Sequence, residues 1–226
     1  KDQLPQMVIQ VSFCAFYTPR MNADKRIGPH NFDVLCFLHG ALLSDAYAEK
    51  HGKGTRITFH HSRRQVSFLS WMRKFLINRG YCNDGPNPKI NKQIGKNGAI
   101  YYSMKFHTFT FTSFDWIRER FYENHMKKVP RNIQTYLSAL AIAVWIGADG
   151  HFTGSGLQLH TECFTKKDIS ILCEALQHKY KWKVSIRKKT DKYNLIYIHA
   201  ESLPDVVRIV KPFLDPSMYY KLNLNK

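Results

Sequence analysis

No C-x-x-C pair occurs anywhere in the chain, and its five cysteines (Cys14, Cys36, Cys82, Cys163 and Cys173) leave one over after any disulfide pairing. That speaks against a disulfide framework and for a reducing compartment. No H-E-x-x-H accompanies His60-His61, and no C-x-x-C pairs with a histidine, so no structural zinc site is expected. Gly95-Lys96-Asn97-Gly98 has neither the length nor the Ser/Thr of a phosphate-binding loop. Long apolar runs are missing too. The most apolar stretch, 137–148, is 12 residues long, whereas a membrane span needs about 20, so it reads as a core helix. Residues 7–16 are interrupted by Gln10 and Ser12 and show no targeting signal.

Acidic residues are scarce: 17 Asp plus Glu stand against 34 Lys plus Arg in 226 residues, a formal charge of +17. Such a balance attracts polyanions over long range, nucleic acid first among them. The hydrophobic share of 44%, with Phe 15, Tyr 12 and Trp 4, excludes a disordered chain and fills the core of one large or two small domains.

Residues 1–29 read as an arm, punctuated by Pro5, Pro19, Gly28 and Pro29. A helix apolar almost all round starts near Asn31 and ends at Asp45. A half-buried strand over Thr55–His60 follows, with Arg56, Thr58 and His60 on one side and Ile57 and Phe59 on the other. Helical spacing returns over Val66–Ile77. Residues 81–98 read as turns with one strand, Tyr102–Phe109 alternates again with Lys105 and His107 on one face, and a helix covers Ser113–Asn124. After Pro130 the same order restarts. An apolar helix runs from about Ile133 to Asp149, then come a strand over Leu157–Phe164 and a helix opened by Thr165-Lys166-Lys167-Asp168, a capping-box pattern. Strands over Lys181–Lys188 and Tyr193–His199 and a helix over Ser202–Phe213 finish the chain. The pattern predicts an α+β fold of two α-β-β-α-β-β-α halves, residues 30–128 and 129–226, repeating element order rather than sequence.

Each half opens with a buried helix whose last turn carries an aspartate, Asp45 or Asp149. A carboxylate at a helix C-terminus is disfavoured by about 0.3–1 kcal/mol, so a positive partner is required. If the two helices pack side by side, the carboxylates meet and form a hard-oxygen site suited to Mg²⁺. Small residues at every fourth position (Cys36, Gly40, Ser44; Ala139, Ala143, Gly147) permit that packing. A second feature is cationic: over 179–192, seven Lys or Arg face one acid. Lys181, Lys183, Ser185 and Arg187 share one phase and Trp182, Val184 and Ile186 the other, with Lys188 adjoining. Such a β-ribbon fits the major groove.

Leu38-His39-Gly40-Ala41-Leu42-Leu43-Ser44-Asp45-Ala46 and Ile142-Ala143-Val144-Trp145-Ile146-Gly147-Ala148-Asp149-Gly150 resemble the two motifs of single-chain LAGLIDADG homing endonucleases. Asp45-Ala46-Tyr47 and Met218-Tyr219-Tyr220-Lys221-Leu222 resemble the intron-encoded subgroup. The chain departs from the pattern at His39, Val144 and Ala148, where Ala, Gly and a second Asp are common. The resemblance implies antiparallel sheets forming a DNA-binding saddle in each half, joined through the motif helices. It implies a monomer that cleaves both strands of a long asymmetric site, with Mg²⁺ (or Mn²⁺ in its place) held by Asp45 and Asp149 and the carbonyls of Ala46 and Ala148. It places Lys221, and either Lys127 or Lys128, beside the hydrolytic water, and it implies an organellar setting. Arg56, Thr58, His60, Lys105, His107, Lys181, Lys183, Ser185, Arg187 and Lys188 are the expected DNA contacts. The alternative is a maturase binding intron RNA without cleavage; only the enzyme needs both aspartates. A basic DNA-binding regulator without chemistry is a further rival, and it predicts no dependence on divalent metal.

Overall fold

The apolar segments that precede Asp45 and Asp149 have no polar face, so water can be kept from them only by protein on every side. A computed structural model of the chain describes residues 20–224 and shows how this is done. The arm expected over 1–29 is therefore seen from Arg20 on, and Cys14 lies outside the described residues. Helix α1 (Phe32–Leu42) packs along α5 (Ala139–Asp149), and residues 140–148 of α5 are all buried. The close approach is set by Gly40: a Cβ there would collide with the backbone of Ala141. Gly147, expected at the same seam, instead makes room for Phe68 of the other half. Backbone cannot rotate away as a side chain can. Gly40→Ala therefore loses more to overpacking, about 1–3 kcal/mol, than the roughly 1 kcal/mol that helix propensity returns. The expected result is a melting temperature lower by several degrees, checked by calorimetry.

Each motif helix feeds a four-stranded antiparallel sheet. In the first, β1 (Tyr47–His51), β2 (Gly54–Ser62), β3 (Ile90–Ile94) and β4 (Ile100–His107) lie in the order β1-β2-β4-β3, with α2 (Val66–Ile77) behind. The short α3 (Asp115–Phe121) and the hairpin β5 (Tyr122–Glu123) and β6 (Met126–Lys127) follow. After α4 (Ile133–Tyr136) and α5, the second sheet contains β7 (Gly150–Phe152), β8 (Gly156–Leu159), β9 (Val184–Lys188) and β10 (Asn194–His199) in the order β7-β8-β10-β9, with α6 (Lys166–Tyr180) behind and α7 (Leu203–Val210) after it. Equal strand order in both sheets bears out the repeat. The core is aromatic in the first half: Phe37 stacks on Phe75 at 4.3 Å and Phe59 on Phe106 at 4.7 Å, tying α1, α2 and the sheet together.

Several boundaries differ from expectation, among them the strand expected over Leu157–Phe164, which ends at Leu159; four others have a local reason. Helix α1 stops at Leu42, and residues 43–45 form a turn that carries Asp45 beyond the helix. The segment from Ile133 is two helices, because Ser138 accepts a hydrogen bond from the Ala141 amide and starts α5 afresh. The helix expected to Asn124 ends at Phe121, where Asn124 and His125, both at positive φ (48° and 64°), close a hairpin instead. Lys181 is not part of a strand: it sits at φ 59° as the cap of α6, and β9 starts only at Val184.

His39, the departure inside the first motif, is fully buried between α1, α3 and α4. It stacks on Tyr136 at 3.8 Å and lies near Phe121 and Trp116, with Arg120 the charged group facing it. Its Nδ1 donates to the Leu35 carbonyl at 2.7 Å while Nε2 has no partner. Burial lowers its pKa to about 4. The unfolded chain therefore binds a proton below about 6.5 that the folded chain refuses, and stability falls as pH drops from about 6.5 to 4. His39→Phe keeps the ring stack, and acid unfolding titrations should show a limb shallower by one proton.

Candidate active site and nucleic-acid interface

Two helix C-termini and two carboxylates concentrate negative charge at one place, and the chain brings two lysines there. Asp149 ends α5. The β5–β6 hairpin carries Lys127, whose Nζ donates to the carbonyls of Ser44 (2.7 Å) and Ala46 (2.9 Å), on either side of Asp45. A 3₁₀ segment, Pro216–Leu222, carries buried Lys221, whose Nζ donates to the Ala148 carbonyl at 2.6 Å. Each ammonium thus caps orphan carbonyls where its motif helix ends. Of Lys127 and Lys128, it is Lys127 that the structure brings to the carbonyls on either side of Asp45. Lys128 pairs instead with Glu123 at 3.3 Å.

The electrostatics follow from crowding. Burial first, and then the charge of Asp45, push the Asp149 pKa up to about 7 despite Lys221 and Lys127. Burial lowers Lys221 to about 8 and also lowers Lys127, with the aspartates opposing in both cases. Half-exposed Asp45 has a neighbour that sequence pattern alone passes over: His61 Nδ1 lies 3.5 Å from Asp45 Oδ2 and donates to Gln65 Oε1 at 3.0 Å. The position equivalent to His61 is Thr161, whose hydroxyl donates to the Asn194 carbonyl instead. A recess of about 440 Å³ opens beside Asp149, lined by His151, His160, Tyr220 and Lys221. The two carboxylates and the Ala46 and Ala148 carbonyls are oxygen donors, the kind a hard cation prefers. Among the described residues no cluster of three His, Cys, Asp or Glu forms a self-sufficient metal cage. Two carboxylates are a donor set that a hard divalent cation can use, since such ions complete their shell with water and substrate phosphate. The Ala46 and Ala148 carbonyls already accept from ammonium groups, with one lone pair left to each.

On the first sheet Arg56, Thr58, His60, Lys105 and His107 share one face, as the pairings Thr58↔His107 and His60↔Lys105 show. Thr58 is 1% exposed. Its hydroxyl and Arg56 Nε both donate to Glu49 Oε1, at 2.7 and 2.8 Å, so Thr58 supports the face from beneath. On the second sheet Ser185 and Arg187 share a face; Ser185 Oγ lies 2.9 Å from His199 Nε2, and the Arg187 guanidinium lies over the Tyr197 ring at 3.1 Å. Lys183 pairs with Glu201. Lys188 falls in the opposite phase with Val184 and Ile186, where it pairs with Asp191 at 2.5 Å. Glu49 and Tyr197 were not among the expected contacts. Glu49 was in principle legible, since the turn at Gly52 sets it directly opposite Arg56.

A profile of the LAGLIDADG DNA endonuclease family matches residues 35–206. The chain belongs to that family. Among its relatives is the cytochrome b mRNA maturase bI2 of Saccharomyces cerevisiae, 38% identical over 215 residues, which cover 91% of this chain and 51% of that protein. The chain thus spans about half the length of this relative. The intron-encoded endonuclease ai4 of Dictyostelium discoideum is 36% identical over 67% of this chain and 98% of its own length. The homing endonuclease I-WcaI, solved bound to its DNA recognition sequence, superposes with a TM-score of 0.80 at 23% identity, covering 93% of this chain and 96% of that one; this shows the shared LAGLIDADG fold.

Proposed function

We propose that this LAGLIDADG protein is a monomeric, sequence-specific endonuclease that hydrolyses both strands of a long asymmetric DNA site with Mg²⁺, or Mn²⁺ in its place. The observation that carries the reading is the pair Asp45 and Asp149, Asp149 ending its motif helix and Asp45 just past the end of its own, each beside a lysine that caps the neighbouring carbonyls. A structural cap needs one carboxylate in solvent, not a second, buried one whose ionisation both burial and the first carboxylate oppose. The carboxylates, with the Ala46 and Ala148 carbonyls as further donors, would hold the divalent ion, which supplies Lewis acidity and a more acidic water. Lys127 and Lys221 fix the backbone that presents the carboxylates and set positive charge beside the phosphate that is attacked. The halves 30–128 and 129–226 each contribute one sheet to the duplex, and Arg56, His60, Lys105, His107, Lys181, Lys183, Ser185 and Arg187 make up the DNA face.

An mRNA maturase is the second reading, favoured by relatives named as maturases at 38% and 36% identity. An organellar setting belongs to the same proposal and accords with those relatives' cytochrome b transcripts. Among the described residues no helix is long and apolar enough to cross a membrane. The test is incubation with Mg²⁺ and a randomised duplex library, followed by sequencing of the ends. Ends that define one asymmetric site support the enzyme. Binding of a site without metal-dependent ends supports the regulator, and intron RNA binding without DNA cleavage supports the maturase.

A further inference from the structure

The basic side chains on the two sheet faces are not equivalent. We propose that Arg56 and Arg187 are guanine readers, aimed by Glu49 and by Tyr197 respectively, so that the target carries a guanine at one position in each half while the lysines hold backbone phosphate. The inference rests on the reading of these faces as the DNA surface.

Glu49 and Arg56 are directly opposed in the β1–β2 pairing. Glu49 Oε1 is held from two sides, by Arg56 Nε at 2.8 Å and by the Thr58 hydroxyl at 2.7 Å. A carboxylate on Nε stops the side chain from swinging and leaves both terminal amino groups of the guanidinium free, with no other partner among the described residues. Those two donors form the end-on fork that matches O6 and N7 of guanine. Arg56 is 22% exposed at its side chain, enough for the fork to emerge while its stem stays packed.

Arg187 reaches a similar state by another route. It has no carboxylate partner among the described residues, and its guanidinium carbon lies over the Tyr197 ring, 3.1 Å from the centroid. Tyr197 itself is 4% exposed, with its hydroxyl 3.3 Å from Ser155 Oγ and its ring edge-on to His199. The cation–π contact holds the guanidinium over the ring while Arg187 itself stays exposed. By contrast Lys183, Lys188 and Lys189 are paired with Glu201, Asp191 and Glu162. A lysine ammonium is a rotatable point charge, suited to phosphate rather than to a planar two-acceptor edge. Arg56 and Arg187 do not occupy equivalent positions either: Gly156 stands where Arg56 does in the repeat. The two guanines are therefore not related by the pseudo-twofold, and the site is asymmetric for a structural reason.

The test is selection of bound duplexes from a randomised library without Mg²⁺, for the parent and for single variants, each first checked by thermal melting. The parent should recover one fixed guanine in each half. Arg56→Lys and Glu49→Ala should relax the same guanine, by roughly ten- to a hundredfold for the arginine. Arg187→Lys and Tyr197→Leu should relax the other, while Tyr197→Phe, which keeps the ring, retains it. Lys105→Met should instead weaken all sites evenly and lower the salt slope by about 0.9. Base profiles unchanged in both Arg→Lys variants, or relaxation at a base other than guanine, overturn the assignment while leaving the endonuclease reading intact. A parent that selects no consensus overturns both.

Discussion

Asp45→Asn and Asp149→Asn should each slow double-strand cleavage by roughly 100- to 10,000-fold, the loss expected when several kcal/mol of transition-state charge stabilisation disappears. Specific binding should stay measurable, because neither residue lies on the sheet faces. Asn keeps the shape and removes one of two neighbouring negative charges at helix ends that are already negative. The folded chain without metal should therefore melt at the same temperature or slightly higher, and the stabilisation gained on adding Mg²⁺ should shrink. If the aspartates were solvated caps the pattern would reverse, with normal cutting and an unchanged metal response.

Lys127 and Lys221 give the second large effect. Each Nζ holds the carbonyls that flank or precede its aspartate, so Lys127→Met and Lys221→Met should slow turnover on saturating DNA by roughly 100- to 1,000-fold, the usual cost of removing one positioned donor. Affinity should change little. Lys221→Gln retains a donor and should recover part of the rate if positioning of the Ala148 carbonyl is its role. Lys128→Met should behave as the parent, since its ammonium pairs with Glu123 on the surface. If affinity falls in Lys221→Met while turnover on saturated DNA survives, Lys221 is a phosphate contact and leaves the catalytic group.

The motif helices were legible because an all-apolar helix ending in an aspartate contradicts ordinary surface chemistry twice, in its missing polar face and in its charge at the wrong end. Pairing of those helices followed from Gly40, which has no other reason to sit mid-helix. Lys127 was not separable from Lys128 in the sequence: adjacent residues differ only in which side of a hairpin they occupy, and that depends on the positive φ of Asn124 and His125. His61 escaped because strand alternation assigns it to the core side, where the end of β2 happens to meet Asp45. Along β9 the alternation of Ser185 and Arg187 held, but it was extended too far in both directions. Lys181 was already spent closing α6, and Lys188 takes the phase of the buried residues. Thr58 shows the complementary gap: side-chain phase gave its face, whereas its burial depended on Glu49 from a neighbouring strand.

The most direct single measurement is linearisation of a supercoiled plasmid that carries the site recovered from the library, run with Mg²⁺ and with the metal chelated. An endonuclease built on Asp45 and Asp149 converts the plasmid to linear product only with the metal, and the Asp149→Asn protein binds the site without linearising it. Linear product formed equally with the metal chelated, or formed at the parent rate by Asp149→Asn, would contradict the two-aspartate site.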